Sequence, residues 1–193
     1  MIIKVLMSTP ELLYHAKAGG LADAVFGLTT ALVAGNVDAR VIVPIYGNVQ
    51  KFASKNLKNT FELGPEFNNS KIHEVIIKNL TVYAIESEHF QKRNGEIYVD
   101  SKGVDWPNNG IAFGMFSEIV ASLVTGKIDV GWKPSILHGH DWTSGFAIFK
   151  LANKCNKVKT IMSIHNLAHQ GIFDLKILND LGFSRSDLNH SFL

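Results

Sequence analysis

Two periodicities alternate along the 193 residues of this chain. Ile2 to Ser8 is an apolar run broken only by Lys4, which suits a strand covered on both faces. Leu21, Val25, Leu28 and Leu32 recur at helical spacing, and Gly35-Asn36 closes that helix. Ala39 to Val43 is a second strand, stopped by Pro44. Strand, helix and strand in that order make a βαβ unit with a right-handed crossover. His73–Ile77 and Thr81–Ile85 are rich in Val and Ile and flank Lys78-Asn79-Leu80, the pattern of a hairpin. Glu88 to Asn109 mixes charges, Gly and Pro without a period and reads as a long surface loop. Ile111 to Val124 returns to helix, with Ala112, Phe116, Ile119, Val120 and Leu123 on one face. Ser135–His138 then reads as strand, Trp142–Ala152 as helix, Lys159–Ile164 as strand and Leu175–Leu181 as a short helix. The alternation predicts an α/β fold, a parallel sheet with helices on both faces.

In such sheets ligands bind beyond the carboxyl ends of the strands. That rule selects three clusters: the loop at Lys17-Ala18-Gly19-Gly20, then His138, His140 and Asp141, then His165 and Asn166. Each follows a predicted strand, so all three are expected on one rim. Adjacent glycines let backbone N–H groups approach a ligand closely, and the helix beginning at Leu21 turns its positive end to the same place. With Lys17 they make an anion site suited to a phosphate; the plainer alternative is a tight turn beside a solvated lysine. His138 and His140 project to one strand face, as paired zinc ligands do. No third histidine directly follows Asp141-Trp142, however, and no other cluster completes a metal shell, so no metal is expected. The plainer reading has a histidine hydrogen-bonded in the core and Asp141 capping the helix at Trp142. His165, Asn166, His169 and Gln170 offer groups that donate and accept as sugar hydroxyls do, or else form a polar turn.

Composition narrows the classes further. With 19 basic and 17 acidic residues the formal charge is +2, which gives no field for nucleic acid and no membrane patch. No apolar stretch is long enough to span a bilayer, and no signal peptide is evident. A single cysteine, Cys155, excludes an internal disulfide and fits a reducing, cytoplasmic setting. No Gly-x-Ser-x-Gly elbow is present, and Gly19-Gly20 lacks the dinucleotide-binding spacing.

Four segments taken together resemble one family. Lys17-Ala18-Gly19-Gly20-Leu21-Ala22-Asp23 resembles the Lys-x-Gly-Gly-Leu-x-Asp signature of bacterial glycogen synthases and plant starch synthases, with Glu11 in its lead-in. His138-Gly139-His140-Asp141-Trp142 resembles the family's His-x-His-Asp-Trp, and His165 to Gly171 its His-Asn-Leu-Ala-Tyr-Gln-Gly. Arg93-x-Gly95-x-x-Tyr98 resembles a stretch of its long loop. The resemblance implies the N-terminal, Rossmann-like half (residues 1–193) of a GT-B glycosyltransferase, inactive without the C-terminal half. The implied reaction moves glucose from ADP-glucose to the 4-hydroxyl of an α-1,4-glucan with retention, and needs no cofactor. It implies that Lys17, Gly19 and Gly20 hold the donor phosphates, that Asp23 orders the loop, and that Tyr98 lines the cleft. It implies catalytic roles for His165, Asp141 and Asn166. Thr143, His169 and Ile45 depart from the family pattern and bear on acceptor handling. Three other readings compete: a transferase using another nucleotide sugar, a non-catalytic glucan-binding module, and a metal hydrolase built on His138, His140 and Asp141.

Overall fold

The structure, a computed structural model, describes residues 2–47, 57–93, 96–152 and 158–182. Cys155, Gly95 and the segment 183–193 lie outside those residues. The described elements are β1 (Lys4–Ser8), α1 (Leu21–Ala34), β2 (Asp38–Pro44), β3 (Leu57–Glu62), β4 (Lys71–Ile77) and β5 (Leu80–Glu86). They continue with α2 (Glu88–Gln91), α3 (Asn109–Thr125), β6 (Ile136–His140), a 3-10 turn (Trp142–Ser144), α4 (Gly145–Ala152), β7 (Lys159–Ser163) and α5 (Ile177–Asp180).

Seven strands form one sheet in the order β3-β4-β5-β2-β1-β6-β7. The run from β5 to β7 is parallel, while β3, β4 and β5 pair antiparallel. The hairpin at Lys78-Asn79 is as expected, with both residues at positive φ. β3 is an addition: its Leu-Lys-Asn-Thr-Phe-Glu sequence is largely exposed and carries little apolar signal. Successive residues of β1 point to opposite faces, and each face has its own core. Val5 and Met7 pack with Leu21 and Val25 of α1, whereas Leu6 packs with Leu137 and the α3 residues Phe116, Ile119 and Val120. Helices therefore cover both faces, as the alternation predicts.

The chain runs leftward from β1 through α1 to β2 and rightward through β6 to β7. The reversal opens a crevice above β1 and β6. Two devices hold its floor. Ser144 Oγ donates to the Ser8 carbonyl at 2.9 Å, and the Ser8 hydroxyl lies 2.9 Å from the same oxygen. Gly139 lets α4 lie directly on β6: a Cβ there would sit 2.8 Å from Ile148 Cδ1 and 2.9 Å from Ser144 Cβ.

Residues 88–109 are not the plain surface loop that their lack of period suggests. Arg93 is 1% exposed. Its Nη1 donates to the Ile97 carbonyl (2.7 Å) and Asn109 Oδ1 (2.8 Å), and its Nη2 to Asn108 Oδ1 (2.7 Å). The guanidinium also faces the rings of Phe90, Trp106 and Phe113. Burial lowers its pKa to about 10, so it stays charged at neutral pH. One buried cation thus organises the segment carrying Tyr98, which a reading of periodicity alone cannot see. No helix among the described residues is long and apolar enough to cross a membrane.

Candidate active site

The three predicted clusters reach the rim from the adjacent strands β1, β6 and β7. They meet at a cleft of about 760 Å³ whose lining includes Glu11, Gly19, Gly20, Tyr98, Asp141, His165 and Asn166. Lys17 and Asp23 lie outside that lining. They pair with each other at 2.6 Å, each about half exposed.

The glycine loop is fixed from below by Glu11, which is 3% exposed. Its Oε2 accepts the amides of Ala18 and Gly19, both at 2.9 Å, and its Oε1 accepts the Tyr98 hydroxyl at 2.9 Å. The Gly19 amide, expected to face a ligand, is thereby engaged with a protein carboxylate. α1 begins at Leu21 with no side-chain cap, so its first-turn amides keep the positive helix end toward the loop. Burial, then the Glu11 charge, raise the Tyr98 pKa far above that of a free phenol and hold its proton in place. From sequence, Glu11 stands only as part of the lead-in to the Lys17 signature. The available signal was its isolation as the one charged residue between Ser8 and Tyr14.

Alternation along β6 puts His138 and His140 on one face, their rings stacked at 4.3 Å between centroids. His138 Nε2 lies 2.8 Å from Ser163 Oγ, and His140 Nδ1 lies 3.0 Å from His165 Nε2. His140 is 1% exposed, and among the described residues its Nε2 has no hydrogen-bond partner. Burial, with His138 and His165 alongside, pushes its pKa down to about 3, so the ring is neutral at pH 7. Burial lowers His138 as well. Among the described residues no group of three or more His, Cys, Asp and Glu is placed to hold a metal.

Asp141 does not cap the turn it precedes; no side-chain cap is formed at Trp142–Ser144. Its carboxylate turns the other way, and Oδ1 accepts the His165 amide at 2.7 Å. Its own amide donates to the Ser163 carbonyl at 2.9 Å. The backbone that meets both demands stands at φ 56°, ψ −179°, a conformation that L residues rarely adopt. Asn166 Oδ1 accepts the Ala168 amide at 2.9 Å, the local turn anticipated as its plainer role. The segment after it is held by Trp142, whose ring packs on Phe113 and Phe173. Gly171, at φ 63°, lies so close to that indole that a Cβ would approach within 2.5 Å.

The family model described as the starch synthase catalytic domain matches residues 4–193. The glycogen synthase of Nitrosomonas eutropha is 35% identical over 189 residues, covering 93% of this chain and 37% of that protein. That of Pasteurella multocida is 34% identical over 184 residues, with the same two coverages of 93% and 37%. Among solved structures, the catalytic domain of starch synthase IV from Arabidopsis thaliana, bound to ADP and acarbose, superposes with a TM-score of 0.73 at 23% identity. It covers 98% of this chain and 39% of that one, a likeness of fold. The chain spans about two fifths of the length of the relatives it matches. With the family match running from residue 4 to 193 and sequence relatives above 30% identity, the chain belongs to the starch synthase catalytic-domain family.

Proposed function

We propose that this chain supplies one wall of the cleft of a retaining glucosyltransferase that moves glucose from ADP-glucose to the 4-hydroxyl of an α-1,4-glucan end. The observation that carries the reading is the meeting of the glycine loop and the His165-Asn166 turn across one cleft. The Arabidopsis structure of the same fold, bound to ADP and acarbose, supports it. A second domain, of the kind the longer relatives have room for, would close the opposite wall, and the protein would act in the cytoplasm. ADP-glucose is a substrate here, and no cofactor is called for.

The chemistry follows from where charge develops. As the glycosidic bond to ADP breaks, negative charge grows on the leaving diphosphate. Donors fixed in advance at that place stabilise the transition state more than the ground state. The first-turn amides of α1 and Gly20 are such donors. The Gly19 amide, engaged by Glu11, shapes the loop instead. Lys17 joins them by exchanging Asp23 for a phosphate, an inexpensive change because an exposed ion pair is worth about 0–1 kcal/mol. Asp23 then guides the lysine, and Tyr98 carries its hydroxyl beside the loop through Glu11. His165 and Asn166 face the sugar, and Asp141 sets the position of His165 through its amide.

The test is transfer from labelled ADP-glucose and UDP-glucose to maltooligosaccharide by the full-length protein, this chain together with the second domain, and by its His165→Ala variant. The reading expects a preference for ADP-glucose and a loss of about 100-fold or more in the variant. Equal use of both donors assigns another nucleotide-sugar transferase. Glucan binding without transfer assigns a binding module.

A further inference from the structure

The histidine row contains more information than a contact between two rings. A neutral imidazole has one N–H and one bare nitrogen, and the partner of one decides the role of the other. His140 offers Nδ1 to His165 and leaves Nε2 buried with no partner among the described residues. If the proton sat on Nε2, the ring would bury an unpaired N–H. If it sits on Nδ1, only a lone pair is unpaired. Orphaned buried N–H groups are the rarer and costlier case. A doubly protonated ring would bury the same orphan and add a charge between His138 and His165. Stacking on His138, itself tied to Ser163, fixes the plane of the ring.

We propose that His140 is a positioning residue: its Nδ1–H donates to His165 Nε2, leaving Nδ1–H as the one donor that the His165 ring can turn to a ligand in the cleft. His165 is thus held as a hydrogen-bond donor for an oxygen acceptor such as a sugar hydroxyl. Its Nε2 lone pair is occupied, so the ring does not serve as a general base through that atom. Asp141 completes the frame by holding the backbone amide of the same residue, while Ser163 ties the neighbouring ring. The ring assignment stands on the geometry alone; its catalytic consequence rests on the transferase reading.

Long-range proton–nitrogen correlation spectra of the 15N-histidine-labelled protein read the tautomers without substrate. The spectra of His140→Leu and His165→Ala variants assign the two rings among the eight histidines. Protons on Nδ1 of both rings, with both Nε2 atoms bare, are expected; an Nε2 proton on either ring overturns the proposal. A double-mutant cycle tests the consequence. His140→Leu is expected to lower kcat/KM about tenfold in the parent and to change nothing further in a His165→Ala background. The same loss in both backgrounds means that His140 acts through general packing, which overturns the positioning role. The expected spectra in a full-length, two-domain protein that transfers no glucose from ADP-glucose would defeat the transferase reading and leave the ring assignment intact.

Discussion

Two buried histidines in different parts of the same sheet have opposite surroundings. His73 on β4 is 6% exposed and uses both nitrogens: Nδ1 meets Thr60 Oγ1 at 3.0 Å and Nε2 meets Glu86 Oε2 at 2.8 Å. His140 on β6 is more deeply buried, yet gives one nitrogen to another histidine and the other to nothing among the described residues. The backbone tells the same story. Positive φ at Lys78 and Asn79 is what a two-residue hairpin requires. At Asp141 it belongs to no standard turn and holds a cleft residue instead. The antiparallel edge is satisfied and serves stability. Among the described residues the rim of β6 and β7 carries an unpaired polar atom, His140 Nε2, and strain at Asp141, which persist when the surrounding fold over-determines them.

The sharpest way to break that contrast is to replace each histidine by leucine. His73→Leu leaves Glu86 without its partner and is expected to cost about 1–3 kcal/mol in urea unfolding, with glucose transfer unchanged. His140→Leu is expected to reverse the profile. It removes an orphaned polar atom, so stability should stay within about 1 kcal/mol while transfer falls about tenfold. Equal profiles for the two variants would erase the distinction.

A second, smaller effect depends on pH. The folded-state pKa of His140, about 3, lies below the ordinary imidazole value. The unfolded chain therefore binds the proton first, and stability is full above about pH 6.5 and declines as pH falls toward 3. Between pH 7 and pH 5 the expected loss is about 2 kcal/mol. Denaturation at the two pH values checks it, and His140→Leu should remove most of the slope. His138 shares the direction, so a small residual slope is expected.

The smallest effect separates strain from turn chemistry. Asp141→Gly relieves the backbone but loses the bond to the His165 amide, two changes of about 1 kcal/mol that oppose each other. Stability should stay within about 1 kcal/mol while transfer falls. At the hairpin, Asn79→Ala places a residue with less tolerance at positive φ and is expected to cost about 1 kcal/mol with transfer untouched.

Much of the site was legible before the fold was known, because the strand-end rule is a rule of order along the chain. Gly19, Gly20, Asp141, His165 and Asn166 line one cleft, as that rule requires. Lys17, which the same rule selects, and Asp23, which the resemblance implies, face each other beside it. A long side chain's direction depends on neighbours that spacing does not encode. The Asp141 cap failed for a related reason. A cap is a local bargain, and here a distant amide, 24 positions along the chain, offered the better one.

The sequence by itself determined the alternation of strand and helix, the two-sided burial of β1 and the membership of the rim. All three follow from periodicity, which each short segment carries within itself. Only the tertiary structure decided that Glu11 grips the glycine loop, that Arg93 lies inside the segment once read as a surface loop, and that His140 holds His165. Those contacts join residues from separate segments, and a hydrogen bond depends on distances that only the folded chain sets.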